Sequence, residues 1–118
     1  MGQPVAMFEV ISNDSERAQK FYADLFDWKV QVDPAMGGYG LVDTGAGDGA
    51  IIGGIGPSMA AGDTGVKIYV RVGDLHAYLT RAVELGGVRR VEPTTLPGDY
   101  GSFAIFADLD GNPVGLWA

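Results

Sequence analysis

The strongest constraint on the fold is a pattern that occurs twice along the chain. In residues 7–26 and again in 67–86, an alternating apolar run leads to an aspartate and then to apolar residues at helical spacing. The two aspartates, Asp14 and Asp74, lie 60 positions apart, since 74 − 14 = 60. Alternation predicts a strand, and an aspartate before helical spacing predicts a helix N-cap. The chain is therefore predicted to contain two copies of one strand–helix unit.

Short strands are predicted after each helix, so that each copy has the order βαβββ. One domain of residues 1–118 is expected, with modules at about 4–56 and 64–118 and a Gly/Pro-containing linker at 56–65. The first copy is predicted to contain strand 5–12, helix 14–27 and strands 28–33, 38–43 and 50–55. The second copy is predicted to contain helix 74–85 and strands 87–92, 101–107 and 113–117. The buried helix faces are predicted to carry Ala18, Phe21, Tyr22, Leu25 and Phe26, and then Leu75, Tyr78, Leu79 and Ala82.

The composition excludes several classes of function. The formal net charge is −7, and the basic residues are scattered, so a phosphate backbone would be repelled and nucleic-acid binding is not expected. The chain has no cysteine, which excludes disulfides and thiolate metal sites and fits a cytoplasmic location. No leader pattern opens the chain and no apolar run could cross a bilayer, so no membrane association is expected.

Two motifs carry a resemblance to a known superfamily. They are DSERAQKFYADLFDWKV at 14–30 and FADLDGNPVGLW at 106–117, in that order and at that spacing. The chain resembles the vicinal oxygen chelate superfamily, which includes glyoxalase I, bleomycin-resistance proteins and extradiol dioxygenases. The resemblance implies an α+β fold in which two pseudosymmetric βαβββ modules form a curved mixed sheet around a cleft, with the helices on the outer face. It also implies a homodimer.

The resemblance further implies four metal-ligand positions, one on the first and one on the last strand of each module. These positions correspond to Met7, Gly53, Lys67 and Gly115. Divalent ions need oxygen or nitrogen atoms with available lone pairs, and none of these side chains supplies one at neutral pH. We therefore expect no bound metal and no cofactor.

Strand alternation predicts which side chains face the cleft. Phe8 and Val10 are expected to pack under the first helix, and Ile68, Val70 and Val72 under the second. The opposite face is then a candidate ligand-binding surface, and two loops at 32–40 and 92–101 are candidates for its rim. The candidate ligand-binding residues are Met7, Glu9, Tyr39, Lys67, Tyr69, Arg71, Tyr100 and Trp117.

Plainer interpretations compete with these assignments. Glu9 and Lys67 could form a buried structural ion pair, and Tyr69 and Trp117 could be pocket wall or dimer contacts. His76, the only histidine, is expected to be solvated at the start of the second helix. The Asp108–Asn112 stretch begins like a calcium loop but lacks the closing glutamate, so a tight turn is expected.

Four functional hypotheses follow from the sequence. The first is a metal-free small-molecule binding protein of the glyoxalase/bleomycin-resistance type, with an unknown ligand. The alternative is a metal-independent enzyme, of lyase or isomerase type, with Glu9 as general base in the same cleft. A metal enzyme with different ligands and an interaction module with a collapsed cleft are the remaining hypotheses.

Overall fold

A computed structural model describes residues 2–58 and 64–118. The chain divides into two compact units. The first unit is Met7–Val66, and the second is Lys67–Ala118 together with Met1–Ala6. No helix within the described ranges is long and apolar enough to span a membrane. Half of the linker predicted at 56–65, namely residues 59–63, lies outside the described residues.

The first copy of the repeat forms a four-stranded mixed sheet with one long helix. Its strands run in the order β2-β3-β4-β1, with β1 parallel to β4 and the other neighbours antiparallel. The elements are β1 (Val5–Ser12), α1 (Ser15–Phe26), β2 (Lys29–Val32), a 3₁₀ turn (Pro34–Met36), β3 (Gly40–Asp43) and β4 (Ile52–Pro57).

The second copy repeats this plan. Its strands run in the order β5-β8-β7-β6, again with a parallel pair, β5–β8, and antiparallel neighbours. The elements are β5 (Gly65–Arg71), α2 (Leu75–Glu84), β6 (Val88–Thr95), β7 (Ser102–Ala107) and β8 (Pro113–Trp117). The predicted α+β class and its two βαβββ modules are therefore confirmed.

The two predicted N-caps start the helices. The Asp14 carboxylate accepts a hydrogen bond from the Arg17 backbone N–H at 3.2 Å, and the Asp74 carboxylate accepts one from the Ala77 N–H at 3.1 Å. Each bond satisfies a donor that has no partner inside its helix. In both copies of the repeat, an aspartate N-cap therefore starts the helix that follows the first strand.

One predicted loop is shorter than expected. Residues 92–95 of the predicted 92–101 loop belong to β6 rather than to the loop. The pairing of β6 with β7 shifts register between Val91 and Thr94. Such an irregularity accommodates Pro93, which cannot donate to a regular ladder, so the strand continues past it.

The two helices bury their predicted faces to different extents. In the second unit, Leu75 and Leu79 of α2 form a core with Val72, Ala104 and Leu116, although Tyr78 is exposed. In α1 the prediction was wrong for three residues, because Phe21, Leu25 and Phe26 are 57%, 59% and 52% exposed.

The side chains of α1 gather around Trp28 instead of facing the sheet as one stripe. Tyr22 stacks on the Trp28 ring with centroids 5.9 Å apart, Phe26 lies 5.0 Å from that ring, and Phe8 of β1 lies 5.3 Å from it. Trp28 follows the C-cap residue Asp27, so its ring contacts the last turns of α1. The buried position at the centre of α1 is occupied by a polar residue, Gln19.

The turn before the last strand is built around one carboxylate. Asp108 accepts hydrogen bonds from the backbone N–H groups of Asp110 and Asn112, each at 2.9 Å, and from the Asn112 side-chain amide at 3.0 Å. Gly111 takes a left-handed backbone conformation, φ +87°, that completes the turn. These donors, first the Asn112 side chain and then the backbone groups, hold the pKa of the Asp108 carboxyl below its usual value of 3.8.

We predict that this turn contributes stability that acid removes. Because the pKa of Asp108 is lower in the folded state, the unfolded state binds more protons, and the contribution is complete above the unfolded pKa of about 4. It is lost as the pH falls through the folded pKa. Urea unfolding of wild type and Asp108→Asn should therefore show a stability gap at pH 6 that closes toward about pH 3.

Asp99→Asn is the matched control, because Asp99 is an exposed aspartate of the preceding loop. Its stability difference from wild type should show no comparable narrowing at acid pH. A gap for Asp108→Asn that stays constant between pH 6 and pH 3 would contradict the assigned role.

Candidate functional site

In the first unit, a tyrosine ring lies flat on two glycines of β4. Parallel pairing of β1 with β4 places Glu9 beside Gly54, on the sheet face away from α1. The Tyr39 ring covers Gly54 and Gly56 on this helix-distal face, so that a Cβ at either glycine would collide with it. The Tyr39 hydroxyl donates a hydrogen bond to Glu9 Oε2 at 2.6 Å, and Glu9 is only 6% exposed. Tyr39 lies in the predicted rim loop before β3, and its ring packs directly on the backbone of β4.

Gln19 anchors this arrangement from the helix side of the sheet. Its side-chain amide donates to the carbonyl oxygens of Gly38 at 3.0 Å and Ile55 at 2.8 Å. Gly38 precedes Tyr39, and Ile55 lies between the two glycines that the Tyr39 ring covers. The buried Gln19 amide therefore links the backbone just before Tyr39 to the part of β4 that the Tyr39 ring covers. Sequence reasoning missed Gln19, although a polar residue inside the apolar stripe of α1 was the available signal.

The position predicted for the first unit's empty ligand site is corrected by one residue. Gly53 points to the helix side, where the Phe8 ring occupies the space that a side chain would need. By strand register, Gly54 pairs with Glu9 as Gly115 pairs with Tyr69. Gly53 and Gly115 lie equally far after the Asp-Gly turns at 48–49 and 110–111, but the register shows that the first segment is one residue longer before the equivalent strand position. A shift of one residue moves a side chain to the other face of a sheet.

In the second unit, the equivalent glycine lies under a ring from the strand itself. Tyr69 of β5 is 6% exposed and covers Gly115 of β8, where a Cβ would collide with its ring. One step along the same face, Arg71 pairs with Trp117, and its guanidinium carbon lies 4.6 Å from the centre of the indole ring. The Trp117 Nε1–H donates to the carbonyl oxygen of Tyr100 at 2.7 Å.

Within each unit, the structure brings some of the predicted site residues together. Glu9 and Tyr39 meet in the first unit, whereas Arg71, Trp117 and Tyr100 meet in the second. Tyr100 reaches its cluster through a backbone carbonyl that orients Trp117. Met7 is buried on β1, Lys67 is half-buried on β5, and His76 is exposed as predicted.

The residues at the metal-ligand positions implied by the resemblance do not supply a set of metal ligands. The resemblance implies these positions at Met7, Lys67 and Gly115, and the register moves the fourth from Gly53 to Gly54. The rings of Tyr39 and Tyr69 take the space where a ligand side chain would extend from Gly54 and Gly115. Within residues 2–58 and 64–118, no group of three histidine, aspartate or glutamate side chains is placed to bind an ion. The available donors therefore do not fit a metal centre at these positions.

The ring-on-glycine contact can be tested in the first unit. We predict that Gly54→Ala lowers the free energy of unfolding by about 1–3 kcal/mol, because the new methyl group displaces the Tyr39 ring. Gly73→Ala is the control, because Gly73 has no neighbour within 4 Å and should show little change. Chemical denaturation of both variants provides the measurement.

A double-mutant cycle identifies the cause of the cost. In Tyr39→Ala, the ring that the methyl group strikes is absent, so adding Gly54→Ala should cost much less than it does in wild type. Equal costs in the two backgrounds would show that the ring does not determine the requirement for glycine.

Comparison with known proteins identifies the family to which this chain belongs. A glyoxalase-like domain family model matches residues 7–117. CFP32 of Mycobacterium bovis is 30% identical over 110 residues, and the match covers 90% of this chain but 42% of CFP32. A glyoxylase-like domain-containing protein of Didymella fabae is 31% identical over 113 residues, which cover 92% of this chain and 88% of that protein.

Solved structures share the fold at lower identity. A glyoxalase/bleomycin resistance protein/dioxygenase superfamily member from Vibrio splendidus has a TM-score of 0.62 at 16% identity, with 98% of this chain and 97% of that one covered. Methylmalonyl-CoA epimerase from Mycobacterium tuberculosis has a TM-score of 0.62 at 15% identity, covering 96% and 85%. Since the family model spans nearly the whole chain, the protein belongs to the glyoxalase-like domain family.

Proposed function

We propose that the protein is a metal-independent small-molecule binding protein of the glyoxalase-like family. The observation that carries this proposal is the replacement of ligand positions by glycines covered with tyrosine rings, Tyr39 on Gly54 and Tyr69 on Gly115. A glycine under a ring leaves no room for a metal-binding side chain. It also lays an aromatic surface against the sheet, and aromatic surface with a few placed polar groups is typical of small-molecule pockets.

The proposed ligand-contacting residues are those predicted from the sequence, divided between the two units. The polar groups of the first unit are the Glu9 carboxylate and the Tyr39 hydroxyl that hydrogen-bonds to it. Those of the second unit are Arg71 and Lys67, with Tyr69 and Trp117 as aromatic surface. The homodimer remains part of this proposal, and the exposed apolar side chains Phe21, Leu25 and Phe26 of α1 support it. The cytoplasmic location predicted from the cysteine-free sequence stays a prediction.

Native mass spectrometry tests the proposal in one measurement, because it reports assembly mass, metal content and any retained small molecule together. We expect a dimer without stoichiometric metal, before and after incubation with Zn²⁺, Mn²⁺ or Ni²⁺, and with an added mass that denaturation releases. One ion per chain that survives buffer exchange would overturn metal independence. A fragment screen without any ligand better than millimolar would overturn the binding function.

A second candidate function is a metal-independent enzyme with Glu9 as general base. The favouring observation is that a buried carboxylate is oriented by a hydroxyl donor at 2.6 Å, as a positioned proton acceptor must be. This candidate requires chemical change of the bound molecule, whereas the binding proposal requires none.

Glu9→Gln separates the two candidates, because it keeps the side-chain shape and removes the basic oxygen. The binding proposal predicts that wild type returns the ligand unchanged. The enzyme candidate predicts turnover that Glu9→Gln reduces by about 10²-fold or more while binding persists. Glu16→Gln, on the exposed side of α1, is the control and should leave turnover unaltered. Mass spectrometry of the ligand after incubation reads the outcome directly.

A further inference from the structure

Arg71 is held in an unusual electrostatic setting in the second unit. Several other cations have carboxylate partners: Lys20 pairs with Asp24, Arg81 with Glu84 and Arg89 with Glu92. For Arg71 the contact that the structure shows within residues 2–58 and 64–118 is the Trp117 ring. The chain has 15 acidic and 8 basic residues, so carboxylates are abundant, yet this guanidinium is stacked on an aromatic ring.

Within residues 2–58 and 64–118, no hydrogen bond or ion pair occupies the N–H donors of the Arg71 guanidinium, whose contact is with the Trp117 ring. A cation–π contact does not use the N–H donors of a guanidinium as hydrogen bonds do. The Arg71 side chain is exposed to solvent. The planar fork of donors matches the two oxygens of a carboxylate or the oxygens of a phosphate.

Trp117 is itself fixed, so it can hold the guanidinium in one place. Its Nε1–H donates to the Tyr100 carbonyl at 2.7 Å, and its own carbonyl accepts from the Val72 N–H at 3.0 Å. The backbone of Arg71 is anchored too, since its N–H donates to the Pro4 carbonyl at 2.9 Å. A cation positioned before binding loses less conformational freedom when a ligand arrives.

We infer that Arg71, stacked on Trp117, is the binding site for an oxyanion group, carboxylate or phosphate, of this protein's small-molecule ligand. The inference rests on the proposed binding function and names the chemical class of its ligand. The adjacent buried ring of Tyr69 over Gly115 lies on the same face, so the anion would bind at the polar end of an aromatic surface. Trp117 acts as a positioning residue for Arg71.

Three small probes that share a phenyl ring test the inference in the intact protein. Benzoate carries a carboxylate, phenyl phosphate carries a phosphate, and benzamide is the neutral counterpart of benzoate. Titrations followed by NMR report the indole N–H of Trp117, which Trp28→Phe distinguishes from the second tryptophan. We expect at least one anion to bind about tenfold more tightly than benzamide and to shift the Trp117 signal. The tighter anion identifies the carboxylate or the phosphate as the natural group.

Variants assign the effect to the guanidinium. Arg71→Gln should abolish the preference for the anion, and Arg71→Lys should retain part of it, because an ammonium keeps the charge but lacks the planar fork. Arg90→Gln is the control, since it removes the same charge from an exposed arginine of the same unit. Added salt should weaken binding of the anion and leave benzamide unaffected.

Each contrary result has a distinct meaning. Benzamide binding as tightly as both anions refutes the anion site and leaves the binding function standing. Anion binding that survives Arg71→Gln refutes the assignment to Arg71. Failure of the three probes in a protein that binds other fragments refutes the inference alone, whereas failure of the probes and of the whole screen refutes both proposals.

Discussion

The contact between an aromatic ring and a glycine backbone is the constraint on which the rest of the helix-distal surface depends. Glycine weakens a strand because it has no side chain to pack and a large conformational entropy to lose. A ring that lies on the bare backbone restores the missing contact. Gly54 and Gly115 therefore cannot be exchanged for larger residues without moving Tyr39 or Tyr69. This requirement limits where other side chains can lie on that face of each unit.

Much of the fold could be predicted from the sequence because it depends on local rules. Alternation, aspartate caps and turn glycines located β1 and β8 at the residues where they occur, 5–12 and 113–117, and placed α1 within one residue at each end. The predicted helix-distal positions of Glu9, Tyr69, Arg71 and Trp117 follow from period-two alternation, which is local as well. The pairing of Arg71 with Trp117 required the register of β5 and β8, which the sequence does not state.

The errors arose where long-range packing decides. Gly53 was assigned to the wrong face because register is set by the partner strand, and a segment longer by one residue inverts every side chain. The apolar stripe of α1 was expected to be buried, yet the space above Ile55 is used by the Gln19 amide, which satisfies two carbonyl oxygens there. A buried amide with two such partners is tolerated because neither it nor the carbonyls remain unsatisfied. No pattern within α1 predicts that the Gln19 side chain meets the carbonyl groups of Gly38 and Ile55, which lie 19 and 36 positions further along the chain.

Both copies of the repeat cover a strand glycine with a tyrosine ring, but the ring comes from a different part of the chain in each copy. This difference determines which side chain occupies the strand position beside the glycine. Glu9 and Tyr69 occupy equivalent positions, 60 residues apart, each beside the glycine of the parallel neighbour strand. In the second unit the covering ring belongs to the strand residue itself, Tyr69, so the side chain at this position packs on Gly115. In the first unit the ring comes from Tyr39 in the loop before β3, which frees the strand position for a carboxylate. Because the Tyr39 hydroxyl donates to that carboxylate, the ring that covers the glycines also offsets part of the cost of burying Glu9. Two units with the same backbone pairing thus carry an acidic group in one and a guanidinium on an indole ring in the other.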